Sequence, residues 1–580
     1  MFGLLNNAKQ NVDSEELFER ICKDKIFSSI TYFYITNMIA NIEKITFSSK
    51  IALGYIFEIS LQGFLFLRIE QDKIIPKPST FISQKQLSIE PELLKEVEMA
   101  ILEGIHQSPK ELMQSIESHL DIFPTKPFCK KDNRYYIQRN WIYESQFYKC
   151  LHERSESIPT ELDKDVIDEK LQGKLQSKKI SSHQADAIKL SLENSFSLIC
   201  GGPGCGKTYS ILHLIDTFMS AWRKKRIPQV ILAAPTGKAA QKLEETVESC
   251  FDVEKVSIEI MTLHALLKIK KDESKYLERK LIDADLIIID EASMIDIRLM
   301  AHLLMGLPGS SRLVLLGDPN QLPPIETEGI FSIVAKNHCD LAFVSYLTEA
   351  FRFENNRLIQ LANSIRDQNI EKVLKLLKGN NAEIEFFSME NQSNKDILEE
   401  IMRKVTTEDA FSSKGEINTD HILSRMFSFR ILSCLKKGPL GSDDINQRCK
   451  EYFLEKAASG DKLFLPIIIT QNDYQLNLYN GTLGFVIQHK TMQKIDQGNA
   501  YFSSKKKYPL FMLPQYEYSY CLSVHKSQGS EFDHVMLIIP PASEVFSKEI
   551  LYTAVTRAKK KLTIISSEET IRSLIKKASV

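Results

Sequence analysis

The sequence has no surplus of either charge: 74 Lys and Arg stand against 75 Asp and Glu, a formal net charge of -1. Global positive charge therefore cannot be the basis of nucleic-acid binding, although a local basic track can. Ten cysteines in 580 residues contain no CxxC pair, and the closest two, Cys200 and Cys205, flank a glycine loop. That excludes a disulfide framework and points to a reducing compartment. No ligand spacing supports a zinc or iron–sulfur site. No run of 18 apolar residues occurs; the densest pieces, Ile59–Ile69 and Leu281–Ile289, are interrupted by polar residues or strand-sized. A membrane-spanning helix is excluded on that ground. The N-terminus lacks a basic region leading into an apolar stretch, so the expectation is a cytoplasmic protein with no secretory signal. Internal repeats and low-complexity tracts are absent too.

What is present is globular. Hydrophobic residues make up 43% and charged residues 26%, and the length suggests about four structural units. Residues 1–150 read as helices with a few strands. Leu93, Leu94, Val97, Ala100 and Ile101 give Glu90–His106 a helical apolar stripe. In residues 132–148 a strand leads into a helix, and Tyr135, Tyr136, Trp141, Tyr143, Phe147 and Tyr148 suit a core or an interface better than base stacking. Residues 151–179 read as a linker with a helix. From 180 to 345, continuous apolar strands (FSLIC, QVILAAP, DLIIID, RLVLLGD) alternate with helical segments. This is the pattern of an α/β sheet covered on both faces. A second α/β region spans 346–580, with LPIIIT, GTLGFVIQ, CLSV, HVMLIIP and KLTIIS among its strands and a small β insertion near 484–515.

The GGPGCGKT stretch, Gly201, Gly202, Pro203, Gly204, Cys205, Gly206, Lys207 and Thr208, matches the phosphate-loop pattern in every fixed position, between a strand and a helix. Glycines let backbone N–H groups curl around phosphates, and the helix N-terminus adds a favourable field. Lys207 places its charge on the β and γ phosphates, and Thr208 takes a position on Mg²⁺. In DLIIIDEAS, an apolar strand lifts Asp290 to a sheet edge, where it would hold Mg²⁺ through water. Glu291 would orient or deprotonate the attacking water. GDPNQLPP follows another strand and sets Asp318 and Gln321 at the same edge, Gln321 to sense the γ-phosphate.

In this order the motifs resemble superfamily 1 helicases, specifically the RecD family, over about residues 180–575. SSHQADAI, APTGKAAQKL, MTLHALL, LTEAFRF, NLYNGTLG, SVHKSQGSEFDHV and LYTAVTRAKK resemble the remaining motifs. The resemblance implies two RecA-like P-loop domains, with a mixed N-terminal domain and a β insertion in the second. It implies that Gln184 reads adenine, that Arg352 contacts the γ-phosphate and that Arg557 is an arginine finger, with ATP and Mg²⁺ as cofactors. It implies 5′→3′ movement on single-stranded DNA and at duplex ends. It also implies RecB-like and RecC-like partners in a heterotrimer that repairs double-strand breaks in the bacterial nucleoid, with no membrane contact. Docking would use the N-terminal domain, and nuclease activity would lie in a partner.

Thr236, Lys238, Thr262, His264, His525, Lys526, Ser527 and Gln528 are the candidate DNA contacts, all in motifs beside strand ends. The basic runs at Arg223–Arg226 and Lys505–Lys507, and that at Lys559–Lys561, read as solvated surface. A stand-alone helicase of a related branch remains an alternative. So does a non-catalytic ATP-binding scaffold, against which Lys207, Glu291, Gln321 and both arginines weigh.

Overall fold

The computed structural model describes residues 17–576 apart from 41, 43–44, 80–88, 118–123, 158–160, 252–256, 270–280, 325–328, 338–342, 350–356, 380, 391, 408–411, 414–417, 457–461, 474, 490–497, 504–505, 542 and 544–545. Four sheets organise it.

The first motor sheet runs, in spatial order, Val344–Leu347, Phe196–Gly201, Arg312–Gly317, Leu286–Ile289, Val230–Ala234 and Ile258–Thr262, all parallel. Its inner strands are buried on both faces, which is why they read as unbroken apolar runs. The second motor sheet is also parallel: Ile384–Ser388, Ala558–Ser566, Phe532–Ile538, Phe429–Ser433 and Cys521–Ser523. Parallel pairing brings all the strand C-termini of each sheet to one edge, where α/β folds bind ligands.

An antiparallel sheet interrupts the second domain. Ser412–Ser413, Lys462–Ile469, Leu483–His489, Asn499–Tyr501 and Lys507–Pro509 follow one another, and Tyr516–Tyr518 pairs with Lys462–Ile469. It reaches beyond 484–515 on both sides. It also takes LPIIIT and GTLGFVIQ, which read in sequence as strands of the α/β sheet. Apolar continuity reports burial on both faces and is silent about which sheet a strand joins.

The N-terminal sheet has the order Lys73–Ile75, Leu67–Glu70, Arg134–Ile137, Phe128–Lys131, Met113–Ser115. Behind it pack the helices Phe47–Leu61 and Pro91–His106, whose buried Leu93, Val97, Ala100 and Ile101 are the expected stripe. The aromatic segment leads into the helix Gln138–Ser155, which lies against Ile297–Gly306 of the motor. Tyr136, Trp141, Tyr143 and Phe147 join Phe196, Leu198 and Ile287 in one core, with Tyr148 packed against it. Arg154, buried at the end of this helix, donates to the carbonyls of Ser311 (3.0 Å), Leu307 (3.0 Å) and Pro308 (2.9 Å). The aromatics therefore cement the N-terminal domain to the first motor sheet.

Residues 151–179 hold the end of that helix and a second one, Lys164–Gln176, which buries Ile167 and Leu171 in the motor core. Three of the four basic residues in the run after the helix Lys207–Ala221 are paired here. Arg223 pairs with Asp163 (3.2 Å), Lys224 with Glu161 (3.4 Å), and Arg226 with Asp285 (2.6 Å). Lys559, Lys560 and Lys561 likewise pair with Glu531, Asp533 and Glu385.

Candidate nucleotide site and DNA-facing edge

The phosphate loop leaves the strand Phe196–Gly201 and enters the helix Lys207–Ala221. Gly204 and Gly206 both have φ +77°, a left-handed conformation that a side chain would strain. The Lys207 ammonium is turned onto its own loop, donating to the carbonyls of Gly201 (2.6 Å) and Gly202 (3.1 Å). Opposite it, burial and the neighbouring Glu291 carboxylate push the Asp290 carboxyl up to about 6, against the pull of Lys207. The Asp290 carboxylate accepts from the Glu291 N–H at 2.9 Å. Glu291 itself has φ +54°, unusual for a residue with a side chain and held here at the strand's end.

Two buried amides have unpartnered atoms among the described residues. Gln184 caps its own helix, accepting from the Ser181 N–H at 3.0 Å, and its Nε2 has no partner. Gln321 Oε1 is also unpartnered. A buried polar atom without a partner is costly unless something fills its valence. The cradle, the cation near the Asp290 carboxyl and these spare polar atoms fit a Mg²⁺–nucleotide.

The second domain closes directly over this loop. Helix Lys548–Val555 carries Tyr552, whose hydroxyl donates to Asp318 Oδ2 at 2.9 Å. The same hydroxyl stands 3.3 Å from where a Cβ on Gly202 would sit. Burial and Asp318 hold the Tyr552 phenol well above its ordinary range, so it stays a donor. Next to it, Thr553 Oγ1 accepts from the Leu322 N–H (2.8 Å), and Gln528 Nε2 donates to the Leu322 carbonyl (2.9 Å). The GDPNQLPP turn is thus gripped at both the N–H and the C=O of one residue, Leu322, by the other domain. Motif order alone gave no sign of this; the only trace is that Tyr552 and Thr553 precede Arg557 in LYTAVTRAKK.

Arg557 is 4% exposed and donates to the carbonyls of Thr553 (3.1 Å) and Ser530 (3.2 Å), within its own domain. Its neighbours Thr556 and Ala558 line the recess that also takes Pro203 and Gly204. Arg352 lies outside the described residues.

The expected DNA contacts divide. Thr236 and Thr262 cap helices, accepting from the N–H groups of Ala239 and Ala265, both at 3.2 Å. Lys238 crosses to the second domain, donating to Ser530 Oγ at 2.8 Å. Burial, with Arg430 and Lys242 nearby, pushes its ammonium down to about 8. Burial lowers His264 and pushes His525 down to about 4, so both are neutral at physiological pH. Ser527 is buried and donates to the Val524 carbonyl at 2.7 Å. Gln528 is spent on Leu322. Lys526, part-buried, donates to the Glu517 carboxylate at 2.5 Å.

Known proteins agree with this architecture. An AAA domain profile matches residues 184–327, and a UvrD-like helicase C-terminal domain matches residues 518–565. The RecBCD enzyme subunit RecD of Mycolicibacterium smegmatis is 30% identical over 418 residues, covering 68% of this chain and 73% of that protein. The RecBCD enzyme subunit RecD of Buchnera aphidicola from Acyrthosiphon pisum is 27% identical over 627 residues, covering 95% and 97%. A crystal structure of Bacteroides Pif1 bound to single-stranded DNA is 18% identical with a TM-score of 0.37, covering 67% of this chain and 93% of that one.

With an AAA domain matched on the first and a UvrD-like helicase C-terminal domain on the second, the two parallel α/β sheets closing on one phosphate loop are those of a superfamily 1 helicase, an ATP-dependent DNA motor. Within that class, the chain belongs to the RecD family. Among the described residues no helix is long and apolar enough to cross a membrane.

Proposed function

We propose that this chain is the 5′→3′ DNA-unwinding subunit of a three-subunit helicase–nuclease that processes double-strand breaks, with RecB-like and RecC-like partners. The observation that carries the motor reading is the grip of Tyr552, Thr553 and Gln528 on the turn behind the phosphate loop. Family membership supports the partners.

In this reading Gln184 offers its spare amide to the adenine. Lys207 exchanges its loop carbonyls for β and γ phosphates, an ion pair in place of a contact with neutral acceptors. Thr208 and Asp290 hold Mg²⁺, which when bound neutralises phosphate charge. Glu291 orients the attacking water, and Gln321 senses the γ-phosphate. Arg557, with Arg352, supplies charge from the second domain. Opening the cleft must break the Tyr552–Asp318, Thr553–Leu322 and Gln528–Leu322 bonds together, so nucleotide state and domain separation are coupled.

Purified chain with ATP and Mg²⁺ should unwind duplexes bearing a 5′ tail in preference to a 3′ tail, with ATP turnover stimulated by single strands. Preference for the 3′ tail would reverse the polarity. Absence of DNA-stimulated turnover, alone and with partners, would remove the motor reading. Unwinding at full rate without partners, and no stable complex with them, would favour a stand-alone helicase.

Coupling has its own test. Tyr552→Phe and Thr553→Val each delete one buried cross-domain bond, worth about 1–3 kcal/mol. Each should cut DNA-stimulated kcat by roughly tenfold while leaving affinity for a fluorescent ADP analogue near wild type. Equal loss of both readouts would make these residues part of the pocket and not of the coupling.

A further inference from the structure

The edge that follows the strands Phe429–Ser433 and Cys521–Ser523 holds a charge cluster that the ATP cycle does not use. These strands pair in parallel, Ser433 beside Ser523, so their loops leave the sheet together. The first domain is bonded at the opposite edge, where Lys238 reaches Ser530 just before the strand Phe532–Ile538.

Lys526 lies on the second of these loops, 32% exposed, with its Nζ 2.5 Å from Glu517 Oε2. Lys436 lies on the first, half exposed, with its Nζ 3.9 Å from the other oxygen of the same carboxylate. The Lys436 loop is stiff. The N–H groups of Ser442 and Asp443 close it onto the carbonyls of Leu435 and Lys436, both at 2.9 Å, and Gly438 and Leu440 take φ of +83° and +61°. Glu517 comes from a third element, the strand Tyr516–Tyr518 of the antiparallel insertion.

Two ammonium groups from adjacent loops thus hold one carboxylate between them. A phosphodiester offers the same charge and the same kind of acceptor oxygens, and lysine contacts it without reading sequence. We infer that Lys436 and Lys526 form a backbone-phosphate site for the DNA strand, and that Glu517 competes with the strand for it. An internal competitor lowers the cost of letting go, which a translocating motor needs at every step. The insertion then tunes the grip of the second domain on DNA. This rests on the DNA-motor reading above.

The test is binding of fluorescein-labelled oligo-dT to the full chain across a salt series, for wild type, Lys436→Ala, Glu517→Gln and a control, Lys395→Ala on the helix Asn394–Thr407. Lys436→Ala should weaken binding several-fold and reduce the slope of log K against log salt by about 0.7. Glu517→Gln should tighten binding several-fold, and Lys395→Ala should change neither. Binding of a fluorescent ADP analogue reports that each variant is folded. An unchanged slope for Lys436→Ala overturns the site. Unchanged or weaker binding by Glu517→Gln overturns the competition and makes Glu517 a holder of the lysines. If wild type binds no oligo-dT, the DNA-motor reading itself fails, which is a different result from either variant failing.

Discussion

Lys207→Ala is expected to lower DNA-stimulated ATP turnover by roughly a hundred- to a thousandfold, the usual loss when one preorganised charge at a transition state is removed. The fold should survive, because the ammonium bonds only to the carbonyls of Gly201 and Gly202 in the loop it caps. Those carbonyls lose a neutral–charged contact, and the buried Asp290 carboxyl, already raised, answers the loss of the nearby cation by rising further and taking a proton. Nucleotide affinity should fall less than turnover, since the loop backbone and the helix N-terminus of Lys207–Ala221 remain. Steady-state ATPase with saturating single strands, beside the melting temperature, checks both halves. Normal turnover would show that hydrolysis takes place elsewhere. A matching fall in melting temperature would mean that the lysine was holding the loop together.

Gly104→Ala is expected to disrupt the N-terminal domain while sparing the motor. Gly104 lies near the end of the helix Pro91–His106, where it crosses Phe47–Leu61. A Cβ there would stand 1.9 Å from the Ser48 carbonyl oxygen and 2.6 Å from the Ser49 nitrogen. Both are backbone atoms, so no rotamer change relieves the clash. The helices must part, and the Ser49 hydroxyl would lose the Gly104 carbonyl it now holds at 3.0 Å. Overpacking of this severity costs about 3 kcal/mol or more. Helix propensity acts in the opposite direction, favouring alanine by about 1 kcal/mol. The sign of the result therefore separates packing from propensity. Limited proteolysis and hydrogen exchange should show residues 47–106 losing protection, with nucleotide binding retained. A variant as protected as wild type, or better, would mean that the two helices do not cross so closely in solution.

Much of the nucleotide site was readable before any fold was known. A phosphate loop needs glycines, a lysine and a hydroxyl at adjacent positions, and a strand-ending carboxylate needs an apolar run just before it. Both are local demands. The four inner strands of the first motor sheet follow from four such runs, because a strand buried on both faces has little choice of composition; the part-buried edge strands Ile258–Thr262 and Val344–Leu347 carry no such run. Other features were not local. The antiparallel insertion borrowed two strands that composition could not distinguish from motor strands. The aromatic segment at 135–148 was legible as core, but not as the joint between two domains. The basic run at 223–226 was legible as charge, but its partners lie about 60 residues away along the chain.

The candidate DNA contacts show the division most clearly. SVHKSQG announced a functional loop by its residue types. Its individual roles came only from the fold. Ser527 turns inward, Gln528 reaches a peptide 206 residues distant, and Lys526 meets a carboxylate from the insertion. Thr553 and Leu322 form their bond across 231 residues. Strand pattern and the spacing of the phosphate-loop motif marked an α/β nucleotide-binding chain, and the order of the motifs, through its resemblance to a helicase family, marked the class, since each of those depends on neighbours along the chain. Tertiary structure alone decided how the two domains grip each other and which charged side chains pair with one another. Hydrogen bonds and ion pairs have ranges of a few ångströms in space, and nothing in local sequence records which distant group will arrive within that range.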